Sequence, residues 1–143
     1  MGFFDMFKRK SEEDILSSIS LVLPIPRDNA SSDTYNYRIE VIYRCVKIFA
    51  RKMGEKVYDL KKLYDDKTNK WIIYDGGNSK GENRNKMCIV MPIALNNWLG
   101  SSIDNCFHEG RSIQDVVNWL TTSVKLADVR KGCNEVWDTR INQ

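Results

Sequence analysis

At 143 residues, 42% hydrophobic and 29% charged, the chain has the size and composition of one globular domain, not of a fibre or a disordered tail. No stretch reaches the ~18 consecutive apolar residues of a membrane span, because the greasy runs at residues 19–25 and 87–99 are short or broken by proline and asparagine. The net charge of +3, from 22 basic and 19 acidic residues, permits contact with nucleic acid or acidic lipid but falls short of a basic-protein signature.

The opening MGFFDMFKRK reverses the basic-then-apolar order of a secretory signal. Bulky Phe3 follows Gly2, and Met6 stands where N-myristoylation requires Ser or Thr. A cytoplasmic protein, of a bacterium or an infected host cell, is therefore expected. Its four cysteines, Cys45, Cys88, Cys106 and Cys133, are then reduced and mostly buried. Phe3, Phe4 and Phe7, followed by Lys8, Arg9 and Lys10, form an aromatic–basic segment of the kind that makes weak contact with a membrane surface.

Residues 11–22 predict a short helix: Ser11 and Asp14 resemble a capping box, and Ile15, Leu16, Ile19 and Val22 recur at helical spacing. Pro24 and Pro26 stop it, so residues 1–30 read as an N-terminal arm and residues 31–143 as a single α+β domain. Residues 35–53 carry two patterns at once. The strand-like alternation dies at Lys47, whereas the helical face of Ile39, Ile42, Val46, Phe49 and Met53 runs on to Gly54. Helix is the better reading, with Ser32 or Asp33 as N-cap. Residues 57–75 predict two strands around the polar turn at residues 65–70.

Residues 76–86 read as an exposed Gly-, Asn- and Lys-rich loop, and residues 87–91 as a buried third strand closed by Pro92. Beyond it the chain is read as helical: a short helix ending at Gly100, a second segment capped by Ser101 and Asp104 and closed by Gly110, and a longer helix over residues 112–128. The expected fold is α+β, with a small antiparallel or mixed sheet of about three strands packed against several helices and a helical C-terminal third.

Two stretches, MGFFDMFKRK and YRCVKIFARKMGEKVYDLKKLYDD at residues 43–66, are similar to the start of tailed-phage portal proteins, where a like helix leads into a strand with an apolar–Tyr pair. The resemblance covers less than a third of the chain and implies a viral or mobile-element origin. No portal residue or activity carries over, since the chain is far too short for that fold.

Chemistry-bearing patterns are few. Cys106, His108 and Asp104 hold the residue types of a nucleophilic triad, but neighbours on a short helix point in different directions. Cys88, Cys106, His108 and Cys133 lack the close cysteine pair of a structural zinc site, so no metal is expected. Gly76-Gly77 with Lys80 and Gly81 fits neither phosphate-loop spacing, and no cofactor is expected. Lys67, Lys70, Lys80, Arg84 and Lys86, near Trp71 and Tyr74, could hold a nucleic acid strand, with Asp65, Asp66, Asp75 and Glu82 blunting the field. The leading expectation is a non-enzymatic protein-binding or assembly module. It would engage another protein or a second copy of itself through aromatic residues, the candidates being Trp71, Tyr74, Trp98 and Trp137. The alternatives are a nucleic-acid-binding domain using residues 67–86 and a cysteine-dependent enzyme centred on Cys106 and His108.

Overall fold

The computed structural model describes residues 21–80 and 85–140. The expected helix at residues 11–22 falls almost wholly outside them, as do Phe3, Phe4, Phe7 and Arg84. The described chain is α+β, with four helices and one antiparallel hairpin. Their order is α1 (Ser32–Lys52), β1 (Leu60–Asp65), β2 (Lys70–Asp75), α2 (Lys86–His108), α3 (Ile113–Ser123) and α4 (Leu126–Arg140).

Helix α1 resolves the double pattern in favour of the helix. Its cap lies just before the expected positions: the Ser31 hydroxyl accepts from the Thr34 N–H at 3.2 Å. Tyr35, Ile39, Ile42, Val46 and Phe49 form its buried stripe. Gly54, at φ 73°, ends it by letting the Glu55 N–H return to the Ala50 carbonyl at 2.9 Å. The alternation seen in the sequence arises because buried Tyr35, Ile39, Val41 and Cys45 also fall on odd positions.

The hairpin pairs Leu60 with Asp75 through Asp65 with Lys70. Asp65 closes its turn by accepting from the Lys67 N–H and the Thr68 hydroxyl. At the open end the fully buried Asp75 carboxylate accepts from the backbone N–H groups of Tyr58, Asp59 and Gly77, at 3.1, 2.9 and 3.0 Å. This acid therefore shapes both flanking loops. The outer side of β2 meets a segment without regular secondary structure at residues 23–26. The Ile25 N–H donates to the Trp71 carbonyl at 2.9 Å, while the Trp71 N–H donates to the Tyr35 hydroxyl at 3.0 Å. That hydroxyl in turn donates to the Ile25 carbonyl at 2.5 Å. A tyrosine side chain thus stands in for one rung of a strand pair.

The expected third strand is absent, and residues 87–91 form the start of α2. The Asn85 carbonyl oxygen caps it, accepting from Met87 N–H at 2.8 Å. The physical reason lies in its surroundings. Residues 88–96 are buried without interruption, since α1, α4 and β2 surround this stretch. A helix apolar all round loses its period of 3.6 and imitates a buried strand. Pro92 sits inside the helix, where it costs about 3 kcal/mol of helix preference. That cost is offset by burial of Ile89, Met91, Ile93 and Leu95, at roughly 1.5–3 kcal/mol each. The expected breaks at Gly100 and Ser101 do not occur either; α2 runs through both to His108, and Gly110, at φ 76°, follows its C-cap Glu109.

The long C-terminal helix is two helices. Ser112 caps α3 as expected, accepting from the Asp115 N–H at 3.1 Å. Val116, Val117 and Leu120 are buried against α1 rather than against the sheet. At Val124 the backbone turns extended. The preceding Thr121 and Thr122 hydroxyls bond back to the Val117 and Asn118 carbonyls, a pattern that weakens helices. Helix α4 then packs Val129, Cys133 and Val136 on α2, and Gly132 lies 3.8 Å, measured from a built Cβ, from the Ala94 methyl.

Two outcomes follow from this packing. An added Cβ at Gly100 meets nothing within 4 Å, so Gly100→Ala should stabilise the protein by about 0.5–1 kcal/mol, seen as a higher thermal midpoint. Burial pushes the Cys45, Cys88 and Cys133 thiols up to about 12. In the unfolded chain they ionise near pH ~8.5. Stability is thus intact below that pH and falls as pH rises towards about 12, by roughly 1.4 kcal/mol per thiol per pH unit. Urea unfolding should lose about 4–6 kcal/mol between pH ~7 and ~10; an unchanged midpoint would contradict burial of the three thiols.

Candidate functional site

Helix α2 borders two concavities, one on each side. The first is a groove of about 600 Å³ between α2 and α4. Ala94, Gly132 and Val136 contribute apolar and small groups, Asp128, Lys131, Glu135 and Arg140 contribute charge, and Trp98 stands in it 47% exposed. The close approach of Gly132 to Ala94 brings the two helices together there, and the larger Trp98 indole is left without a covering element.

The second is a polar cleft between the N-terminus of α1 and the middle of α2. Arg38, only 5% exposed, forms its floor. Its Nε and Nη2 donate to the two Asp104 carboxylate oxygens at 3.0 and 2.5 Å. Its Nη1 donates to the Pro26 carbonyl at 3.3 Å and to the Asn96 Oδ1 at 3.4 Å. The hydrogen bonds to Asp104 push the guanidinium pKa further up, so Arg38 stays charged. Asp28 stands 3.9 Å from the guanidinium with its side chain 71% exposed.

The residues singled out from the sequence are dispersed. Trp71 is half-buried, its ring edge-on to Tyr64 at 5.5 Å. Tyr74 is 3% exposed and belongs to the core. Trp137 is half-buried, with the Lys86 ammonium 5.6 Å from its ring centroid. Lys80 is exposed on its loop, and of the four aromatic candidates Trp98 lines the α2–α4 groove. Cys106 is buried while His108 is exposed at the cleft, its ring against Phe107. Burial pushes the Cys106 thiol up, away from the thiolate that attack requires. Among the described residues, no group of three or more metal-ligating side chains is found, and no helix is long and apolar enough to cross a membrane.

Sequence reasoning missed Arg38, Asn96 and the role of Asp104. Asp104 resembled a capping residue for Ser101, whereas its partner lies 66 residues earlier in the chain. The available signal was Arg38 inside the apolar stripe of α1, where a charge has to find a partner. Trp119, 48% exposed on α3, was also passed over.

Asp104→Ala strands the buried guanidinium. The expected loss is about 2–4 kcal/mol in urea unfolding, somewhat under that for a fully buried pair because the Asp104 side chain keeps 22% exposure. Combining Arg38→Met with Asp104→Leu should recover most of that loss; a double variant as unstable as the single one would contradict an uncompensated charge as the cause.

Compared with known proteins, the chain matches no protein-family model, no curated protein and no solved structure.

Proposed function

We propose that this is a non-enzymatic protein-binding module, an assembly or accessory factor acting in the cytoplasm, which docks its partner in the α2–α4 groove around Trp98. The observation that carries the reading is a tryptophan 47% exposed in a groove whose lining mixes apolar and small residues with polar and charged ones. Partner surfaces share this anatomy, and tryptophan is the residue type most enriched among their energetic anchors. The enzymatic alternative loses support from the buried Cys106 thiol with its raised pKa. The nucleic-acid alternative needs Trp71 and Tyr74 as stacking platforms, and these are engaged with Tyr64 and the core.

A photo-crosslinking residue placed at Trp98 should give one discrete protein adduct in the native host, and the same residue at Trp119 should give none. Trp98→Ala should weaken that partner by about 2 kcal/mol, roughly thirtyfold, without lowering the melting temperature. Equal adducts from both positions would overturn the groove. Binding of single-stranded DNA tighter than about 10⁻⁵ M at physiological salt would favour the nucleic-acid reading instead.

A further inference from the structure

We propose that the polar cleft between α1 and α2 binds an α-ammonium group together with its neighbouring carbonyl oxygen, the chemistry shared by a free amino acid and the amino terminus of a peptide. Asn96 is 5% exposed and contributes to the cleft wall. Its Oδ1 is turned to Arg38, and among the described residues its Nδ2 meets no acceptor. Buried amide donors in native proteins almost always have partners. Arg38 adds a second unspent donor, because its Nη2 uses one N–H on Asp104 and has another left. The N-terminus of α1, capped by Ser31, opens on the same cleft and favours an oxygen with negative character. These donors call for a carbonyl or carboxylate oxygen.

Charge decides what accompanies that oxygen. Asp104 neutralises Arg38, and Asp28 leaves one further carboxylate in the cleft, largely exposed. A bare anion would meet a neutral floor and an acidic neighbour, while a bare cation would leave the Asn96 donor unmet. A ligand with an ammonium beside its acceptor oxygen meets both demands. The inference does not depend on the groove at Trp98, although Asn97 lines both concavities.

The test follows the Asn96 side-chain amide of the full chain by ¹⁵N–¹H correlation spectra during titration with L-alanine, trialanine, N-acetyl-trialanine and sodium acetate. Alanine or trialanine should shift that amide saturably at a Kd near or below ~1 mM, and the acetylated peptide and acetate should bind at least about tenfold more weakly. Tighter binding of alanine assigns a free amino acid, and tighter binding of trialanine assigns a peptide terminus. Asp28→Asn should weaken whichever binds by about tenfold. The fold should survive this change, because the Asp28 side chain is 71% exposed and asparagine tolerates its φ of 54°. The proposal is overturned if no probe shifts the Asn96 amide, if the acetylated peptide or acetate binds as tightly, or if Asp28→Asn binds unchanged.

Discussion

A guanidinium cannot leave water alone, and Arg38 is buried to all but 5%. Its position on α1 dictates what must come near. Asp104 has to arrive from the C-terminal half of α2, Asn96 from the same helix two turns earlier, and the Pro26 carbonyl from the segment entering α1. These contacts fix how far α2 slides along α1, which apolar side chains alone would specify only loosely. The same constraint makes the polar cleft: the groups that satisfy Arg38 prevent apolar residues from closing that end of the helix pair.

The parts of the fold legible in the sequence are those with a local mark. Helix α1 buries one face at the helical period, the hairpin is marked by its polar turn at residues 65–70 although residues 72–75 are buried without a break, and the cap at Ser112 and the stops at Gly54 and Gly110 act locally. Helix α2 was illegible because it is surrounded. With residues 88–96 all buried, no polar face marks the helical period, and Pro92 reads as a stop. The split between α3 and α4 carries neither glycine nor proline at Val124, and Gly132 disguises the Val129–Cys133–Val136 stripe beyond it. Of the candidate site, Trp98 could be named from residue type alone. The Arg38–Asp104 pair depends on a contact across 66 positions, which no local pattern reveals.

The helix that was hardest to read is also the one on which both surfaces depend. Asn96 faces the cleft with Arg38, Asn97 borders both concavities, and Trp98 stands in the groove. Three consecutive residues of one helix turn necessarily point about 100° apart, so a single central helix can serve opposite sides of the molecule. The rigidity of that arrangement comes from the buried half of α2, where Ile89, Met91, Ile93 and Leu95 are almost wholly enclosed.

A two-stranded sheet has two edges, and an open edge is a template on which other chains can add strands. Here the outer side of β2 is occupied at Trp71 by Ile25 and the Tyr35 hydroxyl, and the occupying segment carries Pro24 and Pro26 on either side of Ile25. Neither proline has an N–H, and the one between them is already spent on Trp71. An incoming strand therefore finds no free N–H from Pro24 to Pro26. On β1 the Tyr43 hydroxyl takes the Leu60 carbonyl, and Lys61 and Lys62 lie exposed beside it. Both edges of a sheet that would otherwise invite fibrous stacking are thereby engaged, β2 by a proline-flanked segment and the hydroxyl of the buried Tyr35, β1 by the Tyr43 hydroxyl.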